Sequence, residues 1–257
     1  AWLHCVRSSV VLPARNDGTR SGFRAACVQR LQVQAVDPPT RGRPAPARGN
    51  VYNTAMQQLQ STGAGQNARS VSVVLAGSGG AGVMTAGNML LEAAAGAGYY
   101  ALMTRSSGPQ IRGGEAAAML RIACQPVECM EDQFHVLAAV DWENVQRFNA
   151  EIPLGLGSLI VGDPDQGDPP EVYLRSGAAR AVVPLKKIAK SVPEGRANMV
   201  LLGTLAALLG LPDDAVARAV ERTLAKRPAA LAPSLAAVAA GRAAAAGIER
   251  RYLLAAP

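Results

Sequence analysis

The sequence predicts an α/β fold: a Rossmann-like, mostly parallel sheet with helices on both faces and a helical C-terminal part. Three observations carry that prediction. Apolar, β-branched runs of strand length alternate with helix-length segments from Ser70 onward. A G-x-G-x-x-G run sits where the first of those strands gives way to the first helix. Beyond about Ala197 the strands cease, and apolar or amphipathic helical segments follow one another.

In chain order, "VSVVLAG" (Val71 to Gly77) is the first strand. A helix follows over about Ala81 to Ala95, with Val83, Met84, Met89, Leu90 and Leu91 as its large apolar side chains. "YYALMT" (Tyr99 to Thr104) is a second strand and "EAAAMLRIA" (Glu115 to Ala123) a third. "FHVLAAV" (Phe134 to Val140) reads as a buried strand opening into a helix, "DWENVQRFNAEI", with acids in its first turn. "SLIVGD" and "RAVVP" are two further strands, the latter followed by a short helix with Lys186, Lys187 and Lys190. "ANMVLLGTLAALLG" is a core helix stopped at Gly210. The next helix starts with Pro212 and two aspartates and ends in Lys226 and Arg227, as the helix dipole favours. An alanine-rich helix comes last, and "RRYLLAAP" trails off with no closing element.

Three segments result: 1–69, 70–228 and 229–257. The first reads as a disordered or non-native extension. It is rich in Arg, Pro, Gly, Gln and Ser, and no Met occurs before Met56. Met56 as the authentic start, or an Arg-rich, acid-poor targeting segment, are the two readings of it. The second segment is the α/β domain, and the third is a helix and linker to a missing domain. The net charge of +7 lies mostly in the first fifty residues, with eight Arg against two Asp. The bulk of the chain therefore lacks the basic bias of a nucleic-acid binder. The longest apolar run, Met199 to Leu211, has 13 residues, short of the roughly 18 a membrane span needs. The expectation is a cytoplasmic protein. Cys124 and Cys129 have no second pair nearby, so the four cysteines read as incidental thiols rather than zinc or cluster ligands.

Gly77, Gly79 and Gly82 form the glycine motif, with Ser78 and Gly80 inside it. Such a turn suits phosphate, because glycines admit close backbone approach and helix N–H groups attract anions. A dinucleotide site also wants an acid at the end of the second strand. Here that strand runs into Thr104 and Arg105. A packing turn, a phosphate-bearing ligand and a partner surface remain as readings. The stretch "RSSGPQIRGG" (Arg105 to Gly114) leaves the carboxyl end of the second strand, so it should lie beside the glycine turn. Ser106 and Ser107 offer hydroxyls, Gly113 and Gly114 admit close approach, and Arg112 offers a planar fork for carboxylate or phosphate. The plainer reading is a bend with Arg112 in a structural ion pair.

Together these stretches resemble the gamma subunit, or gamma domain, of the 2-oxoacid:ferredoxin oxidoreductases. That family opens on a GxGGxG turn and carries an S-x-GP-x-x-RGG loop after the second strand; both stand here, at Gly77 to Gly82 and Ser106 to Gly114. "DWENVQRF" and "ANMVLLGTLAALLGL" match in position, and the likeness runs from about Val71 to Arg227. The loop's wording is most like bacterial enzymes in which this domain is fused to the front of the alpha subunit, as in 2-oxoglutarate oxidoreductases. The resemblance implies oxidative decarboxylation of a 2-oxoacid with coenzyme A, with electrons passing to ferredoxin. It implies a complex using thiamine diphosphate, Mg²⁺ and iron–sulfur clusters, with alpha and beta subunits or domains as partners. The chain itself has no GDG-type thiamine motif and no Cys₄ array. The expectation is thus a non-catalytic domain that binds none of those cofactors alone and touches neither nucleic acid nor membrane. The site residues carried over are Gly77, Ser78, Gly79, Gly80, Gly82, Ser106, Ser107, Arg112, Gly113 and Gly114. Asp141, Asn144 and the three lysines are weaker candidates. A stand-alone nucleotide-binding oxidoreductase is the alternative.

Overall fold

The structure, a computed structural model, describes residues 10–12, 68–108, 114–249 and 251–257. The chain divides into two units, 1–15 with 66–257, and 16–65; the second lies outside the described residues. So does nearly all of the segment 1–69 expected to stand outside the fold, the short strand β1 (Val10–Leu12) and residues 68 and 69 excepted.

The sheet order is β1-β3-β4-β2-β5-β6-β7. Its members are β2 (Ser70–Ser78), β3 (Tyr100–Ser107), β4 (Glu115–Ala123), β5 (Val136–Ala139), β6 (Leu159–Gly162) and β7 (Ala179–Val182), with β1 at one edge. β2, β5, β6 and β7 are mutually parallel neighbours. β4 runs antiparallel between β2 and β3, and β1 is antiparallel to β3. The α/β, mostly parallel expectation holds. The β3–β4 hairpin is the departure: β4 folds straight back into the gap between β2 and β3. A hairpin pairs adjacent strands without a crossover, so the connection can be short.

The helices are α1 (Val83–Gly96), the four-residue α2 (Glu171–Leu174), α3 (Leu185–Ser191), α4 (Ala197–Leu209), α5 (Asp213–Leu224) and α6 (Leu231–Ala244). They are shared unevenly between the faces. Val73 and Leu75 of β2, Met103, Leu120, Ile122 and Val136 pack with α1 and α3 to α6. The alternate residues Val74, Ala76, Met119 and Leu137 face Trp142, Val145, Phe148, Ile152 and Tyr173. Strand side chains alternate between faces, so neighbouring residues serve two cores. The second face is covered by α2 and by the segment 141–152, read from sequence as a helix. That segment forms only a 3-10 turn, Val145–Phe148, entered through Asn144 at φ 57. The apolar spacing gave the right buried side chains but the wrong backbone, because the left-handed Asn144 breaks the α path.

α4 is buried almost all round and crosses α6 at near backbone contact. A Cβ on Gly203 would strike the Val238 carbonyl, and one on Gly241 the Val200 carbonyl. Thr204 Oγ1 donates to both Val200 O and Gly241 O at 3.1 Å. The 20-residue stretch Pro228–Gly247, which contains α6, has the length and apolarity of a membrane span. Only 28% of it is buried, through Ser234, Ala237, Val238 and Gly241 of α6. The tail does close the fold, contrary to the sequence reading. Tyr252 and Leu254 donate their N–H groups to Leu208 O and Leu209 O, and Ala255 N–H donates to Ala68 O, at 3.0, 3.1 and 2.9 Å.

Candidate functional site: a rim at the carboxyl end of the sheet

The register sets the site. Ser78, the last residue of β2, stands opposite Glu115, the first of β4. Ser107, the last of β3, stands opposite Ala116. The glycine turn and both ends of the 105–114 loop therefore emerge side by side at the carboxyl ends of β2 and β3, as the sequence predicts. Gly108 N–H closes the hairpin base by donating to Glu115 O at 2.9 Å.

The turn is gripped from two sides. Asp141, just past β5, accepts Ser78 N–H at 2.9 Å and Ser78 Oγ–H at 2.7 Å. Its Oδ1 also accepts Glu143 N–H at 3.2 Å. From the helical face, buried Asn198 at the start of α4 donates Nδ2–H to Gly82 O at 3.1 Å. Gly82 has φ 82, and a Cβ there would run into the Asn198 amide. Gly80 also has positive φ, but Gly79 does not. The strained positions are thus Gly80 and Gly82. The carboxylate at the mouth of β2 adds negative charge where a pyrophosphate would approach, which disfavours the dinucleotide reading. Arg105, the residue that could have read a 2′-phosphate, donates Nη2–H to Asn88 Oδ1 at 3.1 Å.

The loop residues do not all share the rim. Ser106 and Ser107 belong to β3, so they point to opposite faces. Ser106 is buried, with Oγ 3.3 Å from Glu151 Oε1; Ser107 is exposed. Gly114 is buried beside the hairpin base. Arg112 and Gly113 lie outside the described residues. Asn144 makes the left-handed turn and caps nothing with its side chain. Lys186 Nζ is held by Gln166 Oε1 at 2.6 Å, and its backbone N–H donates to buried Asp163 at 2.7 Å. Lys187 and Lys190 are exposed on α3.

Three site residues carry no sequence signal strong enough to find them. Glu115 is only 2% exposed, and both its oxygens accept from Arg147 Nη1, at 3.0 and 3.3 Å. Arg147 comes from the misread 141–152 segment and is 49% exposed. Glu151 has its second oxygen, Oε2, buried without a hydrogen-bond partner among the described residues. Nearby Tyr173 donates its OH to Val145 O at 3.0 Å. Burial, and then the Glu151 charge, push that phenol's pKa well up, so it stays a donor.

Among the described residues no three His, Cys, Asp or Glu converge as a metal or cluster site. Cys124 Sγ contacts Ala255 O at 3.4 Å and Cys129 is exposed. These residues do not fit an iron–sulfur cluster. Two surface hollows, of about 300 and 230 Å³, lie away from the turn, one beside Tyr173 and the other beside Trp142 and Arg180.

Residues 72–244 match the family model described as pyruvate ferredoxin/flavodoxin oxidoreductase. The chain belongs to that family. Within it, the chain is 32% identical to the 2-oxoglutarate synthase subunit KorC of Methanothermobacter marburgensis, over 53% of this chain and 76% of that one. It superposes on the 2-oxoglutarate:ferredoxin oxidoreductase of Magnetococcus marinus, solved with 2-oxoglutarate, coenzyme A and succinyl-CoA bound, with a TM-score of 0.64 and 25% identity. That match covers 74% of this chain but 34% of the other, so the chain spans about a third of that enzyme's length. The keto/oxoacid ferredoxin oxidoreductase gamma subunit of Geobacter sulfurreducens matches with a TM-score of 0.55 and 26% identity, over 70% of this chain and 98% of that one. The chain is thus a gamma-type member of the pyruvate ferredoxin/flavodoxin oxidoreductase family, as its two loops imply.

Proposed function

We propose that this chain is the gamma part of a thiamine diphosphate-dependent 2-oxoacid:ferredoxin oxidoreductase, in which it helps enclose the 2-oxoacid and coenzyme A. The observation that carries this reading is the side-by-side emergence of the glycine turn and the 105–114 loop at one end of the sheet. In this reading the two segments make one edge over which a second surface docks. Thiamine diphosphate with Mg²⁺ would supply the decarboxylation chemistry, and clusters would carry electrons to ferredoxin. Both belong to the other subunits in this reading; among the described residues no three His, Cys, Asp or Glu converge to hold a metal ion. The chain's own groups would position: Asp141 and Asn198 hold the turn, and exposed Ser107 would meet the substrate side; Arg112, a site residue implied by the resemblance, lies outside the described residues. The similarity to 2-oxoglutarate enzymes favours 2-oxoglutarate as the acid. In this reading the complex is cytoplasmic and engages no membrane or nucleic acid.

The test is reconstitution. Tagged chain is purified with its thiamine- and cluster-bearing companions, and 2-oxoglutarate- and coenzyme A-dependent ferredoxin reduction is measured with and without it. Turnover should require the chain. Full turnover by the companions alone, or tight NAD(P) binding by the isolated chain, would point instead to a stand-alone nucleotide-binding protein.

A further inference from the structure

The geometry points to Arg147 as an oxyanion-binding residue of the assembled enzyme, with Glu115 as its positioning residue. This inference rests on the reading above that the rim faces substrate. The Arg147–Glu115 pair is built asymmetrically. Glu115 is buried at the first position of β4 and spends both carboxylate oxygens on one nitrogen of Arg147, Nη1. Gly108 leaves room for that carboxylate, since a Cβ there would collide with it. A buried carboxylate persists only when paired and hydrogen-bonded, so the guanidinium is held where Glu115 needs it.

What remains of Arg147 is the other edge. Nε and Nη2 have no hydrogen-bond partner among the described residues, and the side chain is 49% exposed. Those two N–H groups are parallel and in plane. They match the two oxygens of a carboxylate or a phosphate in the side-on, bidentate mode. A surface arginine without a buried partner would spread over many rotamers and lose side-chain entropy on binding. Glu115 has already ordered this one. The pair is neutral in sum, so recognition would come from fork geometry more than from long-range attraction, and salt should weaken it only modestly. The ligand class is therefore an oxyanion presented at the carboxyl end of β2 and the start of β4. In the assembled enzyme two small molecules offer one: the 2-oxoacid through its carboxylate and coenzyme A through its phosphates.

The experiment uses the reconstituted complex carrying Arg147→Gln, Arg147→Lys, Arg147→Ala or Glu115→Gln, with KM for each substrate and kcat measured separately. Arg147→Gln should raise one KM about ten- to a hundredfold, the loss of one charge-assisted bidentate pair, with kcat little changed. Arg147→Lys should recover only part of it, because an ammonium lacks the fork. Glu115→Gln should raise the same KM by a smaller factor, about three- to tenfold, and guanidinium ion should partly rescue Arg147→Ala. A rise confined to coenzyme A assigns a phosphate, and dephospho-coenzyme A then separates the 3′-phosphate from the pyrophosphate. A rise confined to the 2-oxoacid assigns its carboxylate. Both KM values unchanged within twofold in Arg147→Gln would overturn the inference. So would a loss of subunit assembly with unchanged KM values, which would give Arg147 to a protein carboxylate. If wild-type companions turn over without this chain at all, the reading of the rim fails, and that result is separate from any Arg147 outcome.

Discussion

Replacing Asp141 with alanine should loosen the glycine turn by an amount that can be worked from three hydrogen bonds. The carboxylate accepts from Ser78 N and Ser78 Oγ at 2.9 and 2.7 Å, and from Glu143 N at 3.2 Å. A hydrogen bond to a charged group contributes roughly 1.5–3 kcal/mol when well buried. Ser78 and Asp141 are half-buried and Glu143 is exposed, so water replaces part of each bond and the third counts for little. The two Ser78 bonds at the low end of that range give a cost of about 2–3 kcal/mol for Asp141→Ala. Asp141→Asn keeps an acceptor for Ser78 N–H, and the serine hydroxyl can turn to accept from the amide. Its cost should be about 1 kcal/mol, the loss of charge assistance. Urea unfolding of the full chain measures both. A double-mutant cycle with Ser78→Ala should return a coupling energy of about 1–2 kcal/mol. An Asp141→Ala penalty below about 0.5 kcal/mol, or additivity in the cycle within about 0.3 kcal/mol, would refute the claim that Asp141 holds the turn.

The other predictions test neighbouring parts of the fold. Gly82→Ala should cost about 2–4 kcal/mol, from left-handed strain plus displacement of Asn198, whereas Gly80→Ala, with open space around its Cβ, should cost about 1 kcal/mol. Equal penalties in thermal melts would remove the Asn198 contact from the account. Gly241→Ala should force α6 off α4 and cost about 1–3 kcal/mol or more; an unchanged melting temperature would mean that the helices can slide apart freely. His135 should make stability fall in mild acid. Its Nδ1 accepts Ser72 N–H at 3.0 Å, so the 3.4 Å approach to Glu131 is not an ion pair in this neutral form. Burial, helped by Arg121 and opposed by Glu131, lowers its pKa. The unfolded chain then takes up the proton first, so the stabilisation is full above about pH 6.5 and is lost as pH falls below it. Unfolding free energies at pH 7.5 and 5.5 should differ less in His135→Asn than in wild type, and an identical pH slope would count against the assignment.

Strand content was legible because β2, β5 and β6 are short apolar, β-branched runs, and helix ends were legible at Gly210 and Pro212 because both residues act locally. The pairing of β4 was not. An antiparallel strand buried on both faces carries the same apolar pattern as a parallel one, and nothing in "EAAAMLRIA" states that it folds back between its predecessors. The 141–152 segment failed for a related reason. Its apolar spacing records which side chains are buried, and a 3-10 turn over a sheet buries Trp142, Val145 and Phe148 as well as a helix would. The site divided along the same line. Asp141 was visible as an acid at a strand end, and the glycine turn by its spacing. Glu115 and Arg147 meet across 32 residues, and a long-range ion pair leaves no periodic trace. Ser106 and Ser107 looked alike in sequence, but strand alternation sent only Ser107 to the surface.

The inserted strand also explains why a turn of dinucleotide type here makes a rim instead of a nucleotide pocket. In an open parallel sheet the ligand crevice lies where successive connections diverge to opposite sides, which here is between β2 and β5. The Asp141 carboxylate occupies that mouth and binds Ser78. On the other side, β4 fills the gap between β2 and β3 and delivers Glu115 directly opposite Ser78. Two carboxylates thus flank the end of β2, one spent on the turn and one on Arg147. Asp141 is engaged by Ser78 at one side of that end, while Gly108 closes the hairpin base on Glu115 O at the other. What such a surface retains for others is its edge: exposed Ser107 and the unused fork of Arg147. An edge contributes to a site only when another surface supplies the opposite wall, and the proposed function assigns that wall to a companion subunit.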